Sequence, residues 1–254
     1  MTRIGIVGTG LYGVTHLQAF AERKKRSADV EVAGFAEINP QRREEIGQRF
    51  AVKGYPDHRR LIDAGKLDAV TVVTPDHLHY PVVMDCLEAG LPVLVEKPFA
   101  TDIGQARQMA AKAREKGLLV QVDFHKRFDP YHIDLKLRIE EGELGKIQYG
   151  YCWMEDVLRV GTNMIGQKSW EHQGSPAWFL GIHMIDLTYW LMGLPKPLRV
   201  RQPPRLQTFW PMLDGDGPLK IVVAERHRRH GLHPDLLVVL SINLLCKAAA
   251  RSES

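Results

Sequence analysis

A short apolar run at residues 3–7 ends in Gly8, and two further glycines follow at Gly10 and Gly13, so the first dozen residues already confine the chain to few folds. Glycine is needed where φ turns positive or where backbone must approach something that a Cβ would hold off. Beyond the glycines, Val14, Leu17 and Ala21 return at spacings of three and four, the stripe of a helix lying on a sheet. Strand, glycine turn and helix in immediate succession open a parallel α/β sheet and leave a helix N-terminus facing whatever the turn admits.

The same alternation continues. Strands are predicted at 30–36, 69–73, 92–96 and 118–122, and helices at 41–50, 57–64, 81–89 and 101–116. Pro40 opens the second helix, Gly117 is the expected C-terminal cap of the last, and the charged cluster at 22–26 is expected as a loop. The strands are apolar throughout and lack period two, as in a sheet covered on both faces. The expected fold class is therefore α/β, a Rossmann-type doubly wound parallel sheet over residues 1–123.

After residue 123 the pattern changes. A helix at 130–141 stops at Gly142, and 146–154 alternates cleanly, with Ile147, Tyr149, Tyr151 and Trp153 on one face, the mark of a half-buried strand. A helix at 182–192 has Ile182, Ile185, Tyr189 and Met192 as its apolar stripe and His183, Asp186 and Trp190 on its other flank. Residues 124–194 are expected to begin a second, α+β domain with an open, largely antiparallel sheet. Residues 195–254 form an atypical tail with seven of the fifteen prolines, in which only 221–224 and 236–240 look strand-like.

Charge and cysteine usage remove several functions. The formal net charge of +4 is not spread evenly: residues 1–194 carry 24 Lys and Arg against 25 Asp and Glu, and the tail carries 10 against 5. The body therefore offers no phosphate-tracking patch, and no nucleic-acid partner is expected. Cys86, Cys152 and Cys246 include no close pair, which argues against a disulfide framework or a cysteine zinc site, and no metal is expected. The longest apolar stretch, 236–246, falls short of the roughly 20 residues that a bilayer requires, and the N-terminus enters a strand at once. A cytoplasmic protein without membrane contact is the expectation.

The candidate cofactor residues follow from position in the sheet. Gly8, Thr9, Gly10, Leu11, Tyr12 and Gly13 form the turn, whose backbone amides suit a pyrophosphate. Glu37 ends the second strand, 24 positions beyond Gly13, where a carboxylate accepts hydrogen bonds from adenosine ribose hydroxyls and repels a 2′-phosphate. NAD is expected, and Arg42 and Arg43 leave NADP open. Thr74 and Pro75 end the fourth strand with His79 beyond them, either toward the cofactor or as a packing residue, and Glu96-Lys97-Pro98 ends the fifth.

Gly8-Thr-Gly-Leu-Tyr-Gly13, Thr74-Pro75 with His79, Glu96-Lys97-Pro98, His125-Lys-Arg127-Phe-Asp-Pro130 and Gly181-Ile-His183-Met-Ile-Asp186 resemble, in order and spacing, the glucose-fructose oxidoreductase/inositol dehydrogenase (Gfo/Idh/MocA) family over residues 3–194. The resemblance implies an N-terminal NAD(P) domain, a second domain built on a large open sheet through which oligomers form, and oxidation of a hydroxyl on a sugar or cyclitol. It implies that His125 lies near the nicotinamide and that Arg127 braces the domain junction.

Alcohol oxidation requires a base for the hydroxyl proton and a cation for the developing alkoxide. His183 and Lys97 are the candidate catalytic residues, with Asp186, three positions along the helix, as a candidate to orient the imidazole. Many family members place an aspartate four residues before this histidine, where this chain has Phe179; Asp186, an unassisted His183, or another acid such as Glu155 or Asp156 are the alternatives. The segment 156–170, with Asn163, Gln167, Lys168 and Trp170, has the makeup of a polyol pocket. Beyond Gly193 the resemblance ends, and a truncated or frame-shifted C-terminus is expected to leave the second sheet incomplete. Two functions follow: an NAD-dependent oxidoreductase acting on a polyhydroxylated ring, or a non-catalytic NAD-binding protein or inactive remnant.

Overall fold

The computed structural model describes residues 1–145, 147, 149–155, 181–193, 199–201, 219–225 and 236–243. The chain divides into two compact units, Met1–Asp123 and Phe124–Ser254.

In the first unit, β1 (Thr2–Val7), β2 (Val30–Ala36), β3 (Gly54–Tyr55), β4 (Ala69–Val72), β5 (Val93–Glu96) and β6 (Val120–Asp123) form one sheet in the order β3-β2-β1-β4-β5-β6. Every pairing is parallel. The chain runs outward from β1 to β3, then crosses back to place β4 on the other side of β1. That reversal opens a crevice at the carboxyl ends of β1 and β4, the place where doubly wound sheets bind ligands.

Helices α1 (Leu11–Ser27), α2 (Pro40–Phe50), α3 (His58–Gly65), α4 (His79–Glu88) and α5 (Ile103–Lys116) cover both faces. On one side Ile4, Ile6, Leu17, Phe35 and Ile46 pack together, and on the other Val70, Val72, Val83, Leu87, Val95 and Met109 do so. Strands with an apolar residue on each face have two layers to bury, which is why they show no alternation in sequence. Asn39, Asp57 and Asp102 cap α2, α3 and α5 by accepting backbone N–H bonds, and Gly117, at φ 63°, closes α5.

The cluster at 22–26, expected as a loop, is instead the end of α1. Lys24, Lys25 and Arg26 lie in the last turn, where cations oppose the carbonyl end of the helix dipole, and Glu22–Lys25 and Arg23–Asp29 ion pairs hold their side chains. The two-residue strand β3 has no counterpart in the sequence pattern. A 3-10 turn at Asp76–Leu78 starts α4 before Pro81.

In the second unit a 3-10 turn (His125–Phe128) leads into α6 (Pro130–Glu140), and β7 (Tyr149–Glu155), α7 (Ile182–Leu191), β8 (Arg199–Arg201), β9 (Leu219–Glu225) and β10 (Leu236–Asn243) follow. These strands form a four-stranded sheet ordered β7-β10-β9-β8, in which β10 runs parallel to β7 and antiparallel to β9, and β8 antiparallel to β9. The stretches 221–224 and 236–240 thus lie within β9 and β10. Lys136 of α6 reaches α7, donating to the Leu191 carbonyl at 3.4 Å with its ammonium 5.9 Å from the Trp190 ring centroid.

The buried flank of α7 differs from the one its apolar stripe predicts. His183, Met184, Asp186, Leu187 and Thr188 are buried, whereas Ile182, Ile185, Tyr189 and Met192 are only half-buried. A charged partner from the neighbouring turn makes burial of Asp186 tolerable, as described below. Phe179, Asp156 and the segment 156–170 lie outside the described residues.

Candidate functional site

The three glycines of the first turn have three different reasons to be there. Gly8 has φ +93°, and a Cβ on it would stand 2.5 Å from the Val73 carbonyl oxygen. A Cβ on Gly13 would stand 2.1 Å from the Gly8 carbonyl oxygen. Both positions are closed by the protein's own backbone. At Gly10 a Cβ would meet nothing within 4 Å, so the space beside it is not used by the protein.

Gly10 is also the N-cap of α1, with no side-chain cap and no acidic residue in the first turn. A helix N-terminus without a capping side chain or a nearby carboxylate suits a ligand anion. Leu11 and Tyr12 are exposed at the same helix end, and Thr9 is buried. Backbone shape, open space beside Gly10 and a helix N-terminus without a capping side chain together suit the pyrophosphate of a dinucleotide.

Glu37 stands beside this turn. Its Oε2 accepts from the Thr9 hydroxyl at 2.5 Å and from the Thr9 amide at 3.3 Å, and its Oε1 accepts from the Asn39 amide at 2.9 Å. The Arg42 guanidinium donates to the Thr9 carbonyl at 2.7 Å, and Arg43 donates to the Glu37 carbonyl at 2.8 Å. Both arginines, which left NADP open on sequence grounds, are thus engaged in tying the glycine turn to the end of β2.

Thr74 and Pro75 follow β4, and the buried Thr74 hydroxyl finds no partner among the described residues. His79 is fully buried: Nδ1 lies 2.8 Å from the Pro98 carbonyl and Nε2 lies 3.0 Å from the Thr74 carbonyl. Both ring nitrogens of His79 thus face carbonyls of the turns after β4 and β5, an arrangement that suits the packing role of the two open to it. Burial holds its pKa below the ordinary imidazole value, against the pull of those carbonyls and of Asp76 and Glu96. Asp76, next to it, has its carboxyl pKa raised by burial, with His79 and Lys97 pulling the other way.

Lys97 stands just past β5 and is 5% exposed. Burial lowers its pKa from the ordinary ammonium value, opposed by Glu96, Asp76 and Asp123 in that order. Glu96 is buried and its Oε2 accepts from the Lys97 amide at 3.2 Å. Its other oxygen, Oε1, faces Nε2 of His16 on α1 at 3.2 Å, and the same nitrogen lies 3.4 Å from Oδ2 of Asp123. Sequence reading missed His16, Asp76 and Asp123. The signal was positional: Asp123 ends β6 beside Glu96 in register, and His16 lies about one turn beyond Gly13 on α1.

The second unit brings together four more of the candidates. His183 on α7 is 5% exposed, and its ring meets that of His125 edge to face, with centroids 4.7 Å apart and planes at 63°. Asp186 is taken by Arg127 through a two-pronged pair, Nε to Oδ2 at 2.8 Å and Nη2 to Oδ1. That bond raises the Arg127 pKa. With both carboxylate oxygens held by a guanidinium from the turn after β6, Asp186 fixes the turn to the helix, and the His183 ring meets His125. Arg127 likewise braces within its own unit.

Comparison with known proteins agrees with the turn. Residues 2–124 match the GFO_IDH_MocA family, an oxidoreductase family with an NAD-binding Rossmann fold. The rhizopine catabolism protein MocA of Rhizobium meliloti is 30% identical over 215 residues, 84% of this chain and 64% of that protein. An inositol 2-dehydrogenase of Rubrobacter xylanophilus is 34% identical over 143 residues, 56% of this chain and 40% of that protein. The chain thus spans less than two thirds of the length of either relative. A similar fold occurs in the WlbA dehydrogenase of Bordetella pertussis, crystallised with NADH and UDP-GlcNAcA, at TM-score 0.80 and 20% identity over 97% of this chain and 73% of that one. Among the described residues no helix is long and apolar enough to cross a membrane.

Proposed function

We propose that this protein, whose residues 2–124 match the GFO_IDH_MocA family of NAD-binding oxidoreductases, oxidises a hydroxyl-bearing carbon of a sugar or cyclitol. The observation that carries the reading is Lys97, a buried ammonium at the carboxyl end of a parallel strand in the sheet whose first strand ends in the open glycine turn. Relatives named inositol 2-dehydrogenase support the substrate class.

In this reading Gly8 to Gly13 hold the pyrophosphate on the N-terminus of α1, and Glu37 accepts the adenosine ribose hydroxyls. NAD, when bound, supplies the acceptor for the hydride that leaves the substrate carbon. Lys97 donates a hydrogen bond to the reacting oxygen and stabilises the negative charge that grows there. His183 takes the hydroxyl proton as general base. Asp186 acts at one remove, holding α7 through Arg127 so that the imidazole keeps its place, and His125 limits its rotation. Assembly into oligomers through the second sheet belongs to the same proposal.

The test is NAD-dependent absorbance change at 340 nm with a panel of cyclitols and aldoses, with Lys97→Ala as control. Turnover of at least one polyol, abolished by the substitution, is expected. Tight NAD binding with no turnover across the panel would leave a cofactor-binding protein without catalysis.

A further inference from the structure

His16, Glu96 and Asp123 come from three elements, α1, β5 and β6, and meet at one point. One nitrogen, His16 Nε2, stands 3.2 Å from a Glu96 oxygen and 3.4 Å from an Asp123 oxygen. The imidazole is only 12% exposed, the Glu96 side chain 8% and the Asp123 side chain 19%. Two carboxylates this close in a partly dry site repel each other, and each lacks its full complement of water. A donor shared between them relieves both problems, and its ring bonds fix which way they point.

The ligand atoms of the three groups lie within 4.8 Å of one another, and Glu96 and Asp123 are two of the charges that act on Lys97, which follows Glu96 directly. Glu96 also accepts the Lys97 amide, so the brace reaches the lysine's own backbone. The charged groups facing Lys97 are Glu96 at the end of β5, Asp76 in the turn after β4 and Asp123 at the end of β6. Asp76 belongs to a different pair, beside His79. Glu96 and Asp123 are the two that His16 holds.

We propose that His16 and Asp123 are positioning residues for the reaction: the imidazole aligns the Glu96 and Asp123 carboxylates so that they keep Lys97 charged and in place within its buried site. The inference rests on the dehydrogenase reading for its consequence, because an uncharged amine would lose the electrostatic half of its role toward the reacting oxygen. It adds a link between the glycine-turn helix and the lysine, since His16 is carried by α1. No motif in the chain marks either residue for this role.

The charge on Lys97 is measurable without turnover. The full chain is labelled with [13C, 15N]lysine, the Lys97 resonance is assigned with Lys97→Arg, and its titration is followed by NMR with neither cofactor nor substrate present. Asp123→Asn, which keeps the shape and removes the charge, is expected to move the Lys97 titration down by about one pH unit, a roughly tenfold change in acid dissociation constant. His16→Phe is expected to move it in the same direction, because the carboxylates swing apart without their shared donor. His16→Gln, whose amide nitrogen reaches as far as Nε2, is expected to restore most of the wild-type value.

With an active polyol from the panel, the alkaline limb of kcat/KM is expected to shift in parallel while NAD affinity stays within about threefold. A Lys97 titration that ignores Asp123→Asn overturns the proposal, as does equal behaviour of His16→Phe and His16→Gln. Should the panel yield no turnover, the dehydrogenase reading fails by itself, and the titration still decides whether this brace sets the lysine's charge.

Discussion

In the first unit Gly8, Thr74, Lys97 and Asp123 all stand at or just beyond the carboxyl ends of parallel strands, whereas in the second His125, Arg127, His183 and Asp186 come from a 3-10 turn and a helix. A parallel sheet delivers its strand ends to one edge whatever the side chains are, so in the first unit the backbone does most of the positioning. The Arg127–Asp186 pair and the His125–His183 ring contact show the other way: side chains position one another, and one lost partner releases the rest. Backbone geometry fixes where a strand-end residue stands and leaves its neighbours to tune its charge; where side-chain pairs do the placing, position itself depends on the neighbours.

The largest expected effect tests the chemical half of this contrast. Lys97→Ala should lower kcat by about a thousandfold and leave NAD binding within a few-fold, as seen by quenching of protein fluorescence, because the glycine turn is built without the lysine. Loss of NAD binding along with activity would mean that the two are not separately placed. His183→Ala should cost about a hundredfold or more, the range of a general base.

The glycines sharpen the comparison within one turn. Gly13→Ala forces a Cβ onto the Gly8 carbonyl and should destabilise the first unit by about 2–3 kcal/mol in urea unfolding. Gly10→Ala, which meets no protein atom, should leave the unfolding midpoint unchanged and weaken NAD at least tenfold. Equal stability losses for the two would deny that the space beside Gly10 is kept for a ligand.

Arg127→Ala leaves the Asp186 carboxylate, 7% exposed, without its partner. Breaking a buried pair costs about 3–5 kcal/mol, and partial exposure of the arginine reduces this to about 2 kcal/mol. Hydrogen exchange should speed up in α7 and α6 and stay unchanged in β1 and β4. Exchange that rises equally across both sheets would contradict the division into separately placed sites.

The smallest effect concerns His79, whose pKa burial holds below the ordinary value. Its neutral form is favoured in the fold, so the stability it contributes is complete above the unfolded value of about 6.5 and is lost as pH falls through the folded value. The melting-temperature gap between wild type and His79→Gln should therefore narrow from pH 7.5 to pH 5. A gap that widens on acidification would show the imidazole protonated in place.

Much of the first unit was legible from local pattern. Glycine spacing, a three-and-four stripe and apolar runs bounded by Pro and Gly are nearest-neighbour signals, and they placed β1, the start of α1, β2 and α5 within a residue or a few of where they lie. Where local signals conflict the reading slipped: the charges at 22–26 resembled a loop but complete α1, because the helix dipole and two ion pairs favour them there. On α7 the stripe Ile182, Ile185, Tyr189 and Met192 named the wrong face, since a buried ion pair outranks apolar spacing once a guanidinium is supplied from another element.

The sequence by itself determined the doubly wound sheet, the dinucleotide turn and Glu96-Lys97 as the charged end of a buried strand, because each is written in residues adjacent along the chain. Only tertiary structure decided that His79 is enclosed by two carbonyls, that Asp186 belongs to Arg127, and that His16 joins Glu96 to Asp123. Those partners lie between 5 and 107 positions apart along the chain, most of them far beyond the span of a local motif. Which donor meets which acceptor is fixed by the order in which strands are laid side by side, a property of the folded sheet that no single segment carries.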